Sequence, residues 1–306
     1  RASLAFRTLR LRTFAGRLRG SVGQRGIGGT FARIADELRG GRGAKTRMTW
    51  PSPRDDFAPF AMPSSDTPRV SIVIPVYNKI TYTSACLRSI AVRASAIPFE
   101  VIVVDDGSSD ATPRRLADIA GIRTVRNAEN LGFIGSCNAG AAIARGDYVL
   151  FLNNDTLVTA GWLDALLRCI EEAPAAGLVG AKLVYPDGRL QEAGGIVFND
   201  ASGWNLGRFE DPADPRYNFR READYCSGAA ILLRRALFAR LGGFDTRYAP
   251  AYYEDTDLAF AVRAAGFKVY YEPAALVVHF EGITSGTDIA SGVKRYQVVN
   301  REKFLA

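Results

Sequence analysis

The sequence predicts an α/β fold with a Rossmann-like, mostly parallel central sheet flanked by helices. The first observation is an alternation, because from residue 69 onward short apolar runs take turns with segments of helical periodicity. The second is that a polar cluster follows most of the apolar runs, where each strand would end. Right-handed crossovers keep neighbouring strands parallel, so these clusters are expected to meet at one edge of the sheet.

The composition is that of a globular protein with enough chain for a full core. Of the 306 residues, 47% are apolar and 23% are charged, and no run approaches the ~20 apolar residues of a membrane span. No apolar segment of a secretory signal follows the basic start. The widely spaced cysteines predict buried thiols in a reducing compartment, and so a cytoplasmic protein. They are Cys86, Cys137, Cys169 and Cys226.

Three regions are predicted along the chain. Residues 1–68 form a basic extension followed by a linker or surface strap rich in Pro, Ser and Asp, residues 69–285 form the α/β domain, and residues 286–306 form a helical extension. The net charge of +7 comes largely from the extension. The sequence starts without methionine and stops inside a charged, helix-like run, which indicates a fragment of a longer polypeptide with further domains.

The start of the chain is a basic stretch with leucines at helical spacing, Leu4, Leu11 and Leu18. Three interpretations remain open. The stretch could lie on an anionic membrane surface, bind a neighbouring domain, or end a helix of a preceding domain. Nucleic acid is not expected as a partner, because no aromatic or groove-reading pattern accompanies the charge.

The strands and helices of the α/β domain follow in a regular order. Predicted strands are short and apolar, and predicted helices carry apolar residues three and four apart. In the first half the strands are 69–75, 100–104, 122–127 and 148–152, and the helices are 81–94, 112–120 and 136–144. In the second half we expect a helix at 161–173, two strands about a Pro-Asp-Gly turn, a functional loop or lid at 199–221, a strand at 223–234, helices at 235–241 and after Asp257, and strands at 268–271 and 274–278.

The apolar strand at 148–152 ends in a group suited to metal binding. Asn153, Asn154 and Asp155 follow it directly. A carboxylate flanked by two amides offers hard oxygen ligands to a divalent cation, which is what a diphosphate needs beside it. The alternative is that Asp155 caps the helix that begins near Trp162.

Two further acidic clusters and the single histidine complete the candidate site. Asp105 and Asp106 follow the second strand, and Glu254, Asp255 and Asp257 precede a helix that Asp255 or Asp257 could instead cap. His279 follows the last strand, and any role that needs imidazole falls to it unless it is a core residue.

These stretches, taken together, resemble inverting glycosyltransferases of family 2, whose nucleotide-sugar-binding fold is called GT-A. The resemblance runs from about residue 70 to 285 and includes a smaller acceptor-side region. The stretches LNNDT, EDTDL and VVH resemble the rhamnosyltransferase-like branch that builds bacterial surface polysaccharides. The matching stretches, in the family's order, are SIVIPVYN, VIVVDDGSSD, NLGFIGSCNAGAAIARGDYVLFLNNDT, SGAAILLRRALFARLGGFD, YEDTDLAFAVRAAGF and VVHFEGITS.

The resemblance implies a role for each matching residue. Nucleotide contacts are implied at Pro75, Tyr77, Asn78, Asp106, Asn130, Gly132, Asn153 and Asn154. Tyr77 would stack on the base and ribose, Asp106 would accept a hydrogen bond from the base, and Gly132 would let the ligand approach the backbone closely. The family's metal motif falls on residues 153–155, where an Asp-x-Asp would supply two carboxylates but only Asp155 does so here. His279 is the implied second protein ligand to Mg²⁺ or Mn²⁺.

The catalytic base implied by the resemblance is Asp255, with Glu254 as the rival. The predicted activity is inverting transfer of a sugar from a UDP- or dTDP-linked donor to a glycan or a lipid-linked glycan. If the basic start of the chain binds membrane, the protein is expected to be peripheral to the inner face of the cell membrane. One alternative is a sugar nucleotidyltransferase, which would need a Gly- and Arg-rich triphosphate loop where this chain has PVYNK. Another is a non-catalytic nucleotide- or glycan-binding domain of a larger glycan-assembly protein.

Overall fold

The structure is a computed structural model that describes residues 48–282 and 293–306. The chain divides into two compact units, residues 1–48 and 49–306, and the description concerns the second. The predicted basic helix with its three leucines lies outside the described residues.

The elements alternate along the chain as predicted. The strands are β1 Phe60–Ala61, β2 Val70–Val76, β3 Phe99–Asp105, β4 Ile119–Ala120, β5 Ile122–Arg126, β6 Tyr148–Leu152, β7 Thr156–Val158, β8 Ala176–Val184, β9 Leu190–Glu192, β10 Gly195–Val197, β11 Gly203–Asn205, β12 Arg221–Glu222, β13 Ala230–Arg234 and β14 Lys268–His279. The α-helices are α1 Ile80–Val92, α2 Thr112–Ala117, α3 Gly132–Ala142, α4 Trp162–Glu172, α5 Arg235–Arg240, α6 Glu254–Ala264 and α7 Tyr296–Leu305, and 3₁₀ turns occupy Pro215–Tyr217, Thr246–Tyr248 and Val293–Arg295.

The central sheet is mostly parallel, which confirms the predicted fold class. Its strands lie in the order β12-β14-β8-β13-β6-β2-β3-β5. The pairs from β6 to β5 are parallel, and so is the pair of β14 with β8, whereas β13 is antiparallel to both of its neighbours. Every residue of β2, β3 and β8 is buried, because the sheet is covered on both faces.

Helices form the outer layers on the two faces of this sheet. One apolar cluster joins the sheet to α1 and α4, and the other joins it to α3 and α6. All four cysteines are buried and free, as the sequence predicted. Within the described residues, no helix is long and apolar enough to span a bilayer.

Three predicted elements around the candidate site are corrected by the structure. The strand expected at 223–234 begins only at Ala230, and the two strands expected at 268–278 are one strand, β14, with an irregularity between Glu272 and Leu276. Strand β6 is followed by the short strand β7 before any helix begins. The helix at Trp162 starts after Gly161 without a side-chain cap, so the alternative that Asp155 caps it is wrong.

Two segments outside the central sheet also make defined backbone and side-chain contacts. Within the predicted lid at 199–221, β11 pairs with β10 in a hairpin, and the buried Lys182 amine donates to Pro212 O (2.9 Å) and Asn218 Oδ1 (2.6 Å). In the strap before residue 68, Trp50 N donates to Pro186 O and β1 pairs with β4.

Candidate active site

Strand pairing places the end of the LNNDT stretch beside the single histidine. In the antiparallel pair of β7 and β14, Thr156 lies opposite His279, and Phe280 N donates to the backbone oxygen of Asp155. The Asp155 carboxylate therefore lies next to the imidazole, with Oδ1 3.2 Å from Nε2. Both side chains are buried, so this acid–imidazole pair lies in a low-dielectric environment where charges interact strongly.

The orientation of the imidazole is fixed from its other side. Nδ1 of His279 lies 3.2 Å from Oε1 of Gln191, and the Gln191 amide donates to Oε2 of Glu281 at 3.2 Å. Because the amide group of Gln191 faces a carboxylate, its oxygen faces the ring and accepts the Nδ1 hydrogen. Burial lowers the pKa of His279, but the carboxylates around it, Asp155 first, raise the pKa above its ordinary value.

The arrangement of Asp155 and His279 fits a divalent cation. A histidine that binds a metal through one ring nitrogen normally donates the hydrogen of its other ring nitrogen to a carboxylate, an amide or a carbonyl. The Nδ1 of His279 donates to Gln191 in this way. Oδ1 of Asn153 is buried without a hydrogen-bond partner, and the amide nitrogen of the same side chain lies 3.3 Å from His279 Nε2. The described residues hold no group of three or more His, Cys, Asp and Glu suited to a metal, so the protein would supply few ligands.

The neighbouring asparagine has a different environment. The Asn154 amide donates to Oγ1 of Thr83 on α1 at 2.9 Å, and the side chain is buried. Asn154 therefore ties the end of β6 to α1, while Asn153 and Asp155 lie toward His279.

The Asp106 carboxylate organises the loop before α3. It accepts hydrogen bonds from the Asn127 amide (2.7 Å) and from the backbone N–H groups of Leu131 (2.8 Å) and Gly132 (2.9 Å), and it is buried. Its predicted contact with a nucleotide base stays a prediction, but the structure gives Asp106 a second task. The carboxylate satisfies the N–H groups at the start of a helix, which would otherwise lack acceptors.

We expect Asp106→Asn to lower the free energy of unfolding by about 1–3 kcal/mol, because an amide group cannot accept from every donor that faces it. The change is measured by denaturant unfolding. Asp118→Asn, an exposed change at the end of α2, is the control. A normal stability combined with lost nucleotide binding would show that base recognition is the sole task of Asp106.

The nucleotide-side residues after β2 lie on a constrained turn. Asn78 and Lys79 adopt left-handed conformations, with φ of 56° and 60°. Oδ1 of Asn78 accepts from the backbone N–H groups of Ser109 (2.8 Å) and Asp110 (3.2 Å), which joins the loops after β2 and β3. Pro75 is buried within β2, whereas Tyr77 is 40% exposed, so its ring is accessible for stacking.

Gly132 is required by the fold as well as by any ligand. Its φ is +74°, and a Cβ there would lie 2.7 Å from Cβ of Pro250. Pro250, in the loop before α6, therefore makes a close approach at Gly132, and the contact of Gly132 with a nucleotide stays a prediction. Asn130 is exposed, and its side-chain oxygen accepts from Gly132 N at 3.1 Å.

Asp255 lies at the start of α6, and the residue is half-buried. Its Oδ2 accepts from Gly228 N at 2.9 Å, and its Oδ1 accepts from Thr256 N at 2.7 Å. Burial raises the pKa of Asp255, these hydrogen bonds lower it, and the net direction is upward. A raised pKa brings a carboxylate closer to the value that general-base catalysis favours.

The chain before Asp255 is held by the C-terminal helix. Tyr252 and Tyr253 have φ of 75° and 74°, which is costly for bulky side chains. Asn300 on α7 donates its amide hydrogens to the backbone oxygens of Tyr248 (2.6 Å), Ala251 (3.0 Å) and Tyr252 (2.9 Å). These bonds offset the strain and fix the position from which α6 begins.

The rival base, Glu254, points to the interior. It is buried, and Oε2 has no hydrogen-bond partner. Burial, followed by the charge of Asp255, raises its pKa well above the ordinary value. Because Glu254 is buried and Asp255 is half-buried, the geometry favours Asp255 over Glu254 as the group that an acceptor hydroxyl can reach.

Sequence reasoning missed three polar side chains at this edge of the sheet. Gln191 and Glu281 support His279, as described above, and Glu192 is buried with Oε1 accepting from Ser227 N at 2.8 Å. Burial, and then the charge of Asp255, raises the pKa of Glu192 to about 8. In the sequence, Gln191 and Glu192 form only a polar pair shortly before two glycines, which is not a distinctive pattern.

The sequence from residue 71 to 242 matches the family model described as Glycosyl transferase family 2. The chain belongs to this family. The match includes the loops after β2, β3 and β6, and it ends before α6 and β14, which supply Asp255 and His279. The family predicted from the motifs is thereby confirmed.

Three curated relatives of this family-2 chain have similar sequences. An uncharacterized protein y4gI of Sinorhizobium fredii is 33% identical over 73% of this chain and 26% of its own length. An N-acetylglucosaminyl-diphospho-decaprenol L-rhamnosyltransferase of Mycobacterium tuberculosis is 29% identical over 72% of this chain and 78% of its own length. The O-antigen biosynthesis protein RfbC of Myxococcus xanthus is 28% identical over 84% of this chain and 20% of its own length. The chain thus spans only about a quarter or less of two of these proteins.

A solved structure supports the fold of the family-2 domain. GalNAc-T7, crystallised with UDP, GalNAc and Mn²⁺, matches with a TM-score of 0.58 and 16% identity over 77% of this chain and 48% of that one. At this identity the likeness concerns the fold alone, and it confirms the predicted GT-A fold.

Proposed function

We propose that the chain is the catalytic domain of a metal-dependent, inverting glycosyltransferase. The observation that carries the proposal is the segment Ser227–Ala229 before β13. The Ala229 backbone oxygen accepts from Asn153 N at 3.0 Å, and Gly228 N donates to Asp255 at 2.9 Å. One short segment therefore connects the metal-binding end of β6 to the base at the start of α6.

This arrangement supports a single displacement at the anomeric carbon. Asp255 would accept the proton of an acceptor hydroxyl while the bond from that hydroxyl oxygen to the anomeric carbon forms and the bond to the diphosphate breaks. Asp155 and His279 would hold Mg²⁺ or Mn²⁺, which stabilises the negative charge of the departing diphosphate. Attack from the side opposite the leaving group inverts the anomeric configuration.

The substrates follow from the nucleotide-side residues and from the relatives. Tyr77 is exposed for stacking on a base and Asn78 fixes the adjoining loop, which supports a nucleotide-diphosphate sugar, with UDP or dTDP as the carrier. The printed name of the mycobacterial relative describes rhamnose transfer to a lipid-linked diphospho-sugar. A glycan or lipid-linked glycan acceptor in bacterial surface polysaccharide synthesis is the matching proposal for this chain.

The setting of the domain is part of the proposal. Four free cysteines support a cytoplasmic location, and the basic residues before position 48 would place the protein at the inner face of the cell membrane. The much greater length of two relatives supports further domains in the same polypeptide.

A thermal-shift screen of UDP, dTDP and GDP and of their sugars tests the function. With Mn²⁺ present and a pyrimidine nucleotide at 100 times its Kd, we expect the melting temperature to rise by about 4–6 °C, and EDTA should abolish the rise. Circular dichroism establishes that the protein is folded. A flat screen with folded protein would contradict the proposal and favour a non-catalytic domain.

A further inference from the structure

We propose that Glu192 binds a hydroxyl group of the sugar that is transferred from the donor. The inference rests on the proposed function and extends it to the sugar subsite. It assigns the residue to substrate binding and positioning, and leaves proton transfer to Asp255.

The first support is the position of Glu192 between the two halves of the site. Its neighbour Gln191 contacts the His279 ring, while its own Oε1 is held by Ser227 N, directly before the Gly228 N–H that holds Asp255. Both Asp255 and His279 act electrostatically on the Glu192 carboxyl group. In a displacement reaction the transferred sugar must lie between the metal-bound diphosphate and the base, and Glu192 is linked through its neighbours Gln191 and Ser227 to the residues proposed for both sides.

The second support is an oxygen without a partner. Among the described residues, six buried side-chain polar atoms lack a hydrogen-bond partner, and two of the six, Oε2 of Glu192 and Oδ1 of Asn153, lie on the side chains that flank His279 and its supporting Gln191. An unpaired buried carboxyl oxygen destabilises the fold. Such a cost is typical of groups that are positioned to meet a ligand.

A sugar hydroxyl supplies what this oxygen lacks. A sugar hydroxyl can donate a hydrogen bond to this oxygen, which an amide nitrogen in its place could not accept. Because Ser227 N already fixes Oε1, the carboxyl group is held in place before the sugar arrives. Glu192 should therefore add affinity for the sugar and none for the nucleotide diphosphate.

The substitution Glu192→Gln separates this role from a structural one. A glutamine oxygen can still accept from Ser227 N, and its amide replaces the oxygen that has no partner. If Glu192 were only structural, the substitution would change the melting temperature at most, and sugar binding would not change. Glu192→Asp keeps the carboxyl group on a shorter side chain, so it tests whether the position of the carboxyl group matters for sugar binding.

The experiment is calorimetric titration of the full chain, with Mn²⁺, using UDP, UDP-glucose, dTDP and dTDP-L-rhamnose. In Glu192→Gln we expect unchanged affinity for the free diphosphates and about 10- to 100-fold weaker binding of the preferred sugar nucleotide. KM for that donor should rise in parallel. Glu100→Gln is the control. Glu100 is buried near the amino end of β3, away from the site at the carboxyl end, and forms an ion pair with Arg123. We expect this change to lower stability without changing the affinity for the sugar nucleotide.

The possible results are distinguishable. An unchanged ratio of sugar-nucleotide to diphosphate affinity in Glu192→Gln, with a wild type that binds donors, overturns this inference alone. A rise in KM confined to the acceptor also overturns it, since Glu192 would then contact the acceptor. A wild type that binds none of the four nucleotides overturns the proposed function and the inference together.

Discussion

Replacing Asp255 by asparagine is expected to lower the rate of sugar transfer by about 10²- to 10⁴-fold, the range for loss of a general base. The asparagine oxygen can still accept one of the hydrogen bonds that hold the carboxylate, from Gly228 N or Thr256 N, so the fold should survive. Affinity for the nucleotide diphosphate should stay near the wild-type value, because that ligand lies on the metal side. Steady-state transfer and calorimetric binding measure the two effects.

Asp257→Asn is the matched control, since it removes an equal charge from the same helix turn. Asp257 accepts from the Tyr248 hydroxyl at 3.0 Å, and asparagine keeps an oxygen for that bond. Near-wild-type transfer by Asp255→Asn, combined with inactivity of Glu254→Gln, would assign the base to Glu254. In the wild type the base must be ionised, so activity should fall as the pH falls through the raised pKa of Asp255.

Replacing Asp155 by asparagine is expected to abolish the metal-dependent part of nucleotide binding. The change removes the one carboxylate of residues 153–155. Stabilisation of the transition state by the metal, at several kcal/mol, corresponds to about 10²- to 10⁴-fold in the rate of transfer. The thermal shift with nucleotide should become the same with Mn²⁺ and with EDTA. Transfer should fall in the same variant.

Asp164→Asn, in the first turn of α4, is the control for loss of one negative charge. His279→Gln tests the second proposed metal ligand. In the presence of nucleotide, the apparent affinity of the His279→Gln protein for Mn²⁺ should fall less than that of the Asp155→Asn protein. If Asp155→Asn keeps a full Mn²⁺ dependence, the cation is bound elsewhere and the proposed role of the acid–imidazole pair is wrong.

The strand-and-helix order was predictable because its signals are local. The alternating and continuous apolar runs of β2, β3 and β6 identify buried strands without any tertiary information. The antiparallel insertion of β13 between β6 and β8 was not predictable, because apolar periodicity does not encode which strands pair. Nor was the pairing of β7 with β14, which sets the distance between Asp155 and His279.

Single residues of the candidate site also differed in whether the sequence alone could predict them. The carboxylates Asp106, Asp155 and Asp255 stood out because acidic residues next to apolar strands or at a helix start are unusual and chemically specific. Glu192 did not, since a lone glutamate in a short strand has no distinctive local pattern. Only its burial, its bond from Ser227 N and its unpaired oxygen make it a candidate.

The sequence by itself therefore determined the fold class, the family and the three acidic positions, since these depend on composition and order along the chain. The tertiary structure decided which carboxylate is accessible, because Glu254 and Asp255 are neighbours in sequence but differ in burial. It also decided what orients His279 and which side chains lie near Asp155, His279 and Asp255. Those properties depend on hydrogen bonds between residues far apart in sequence, and such bonds exist only once the sheet has assembled.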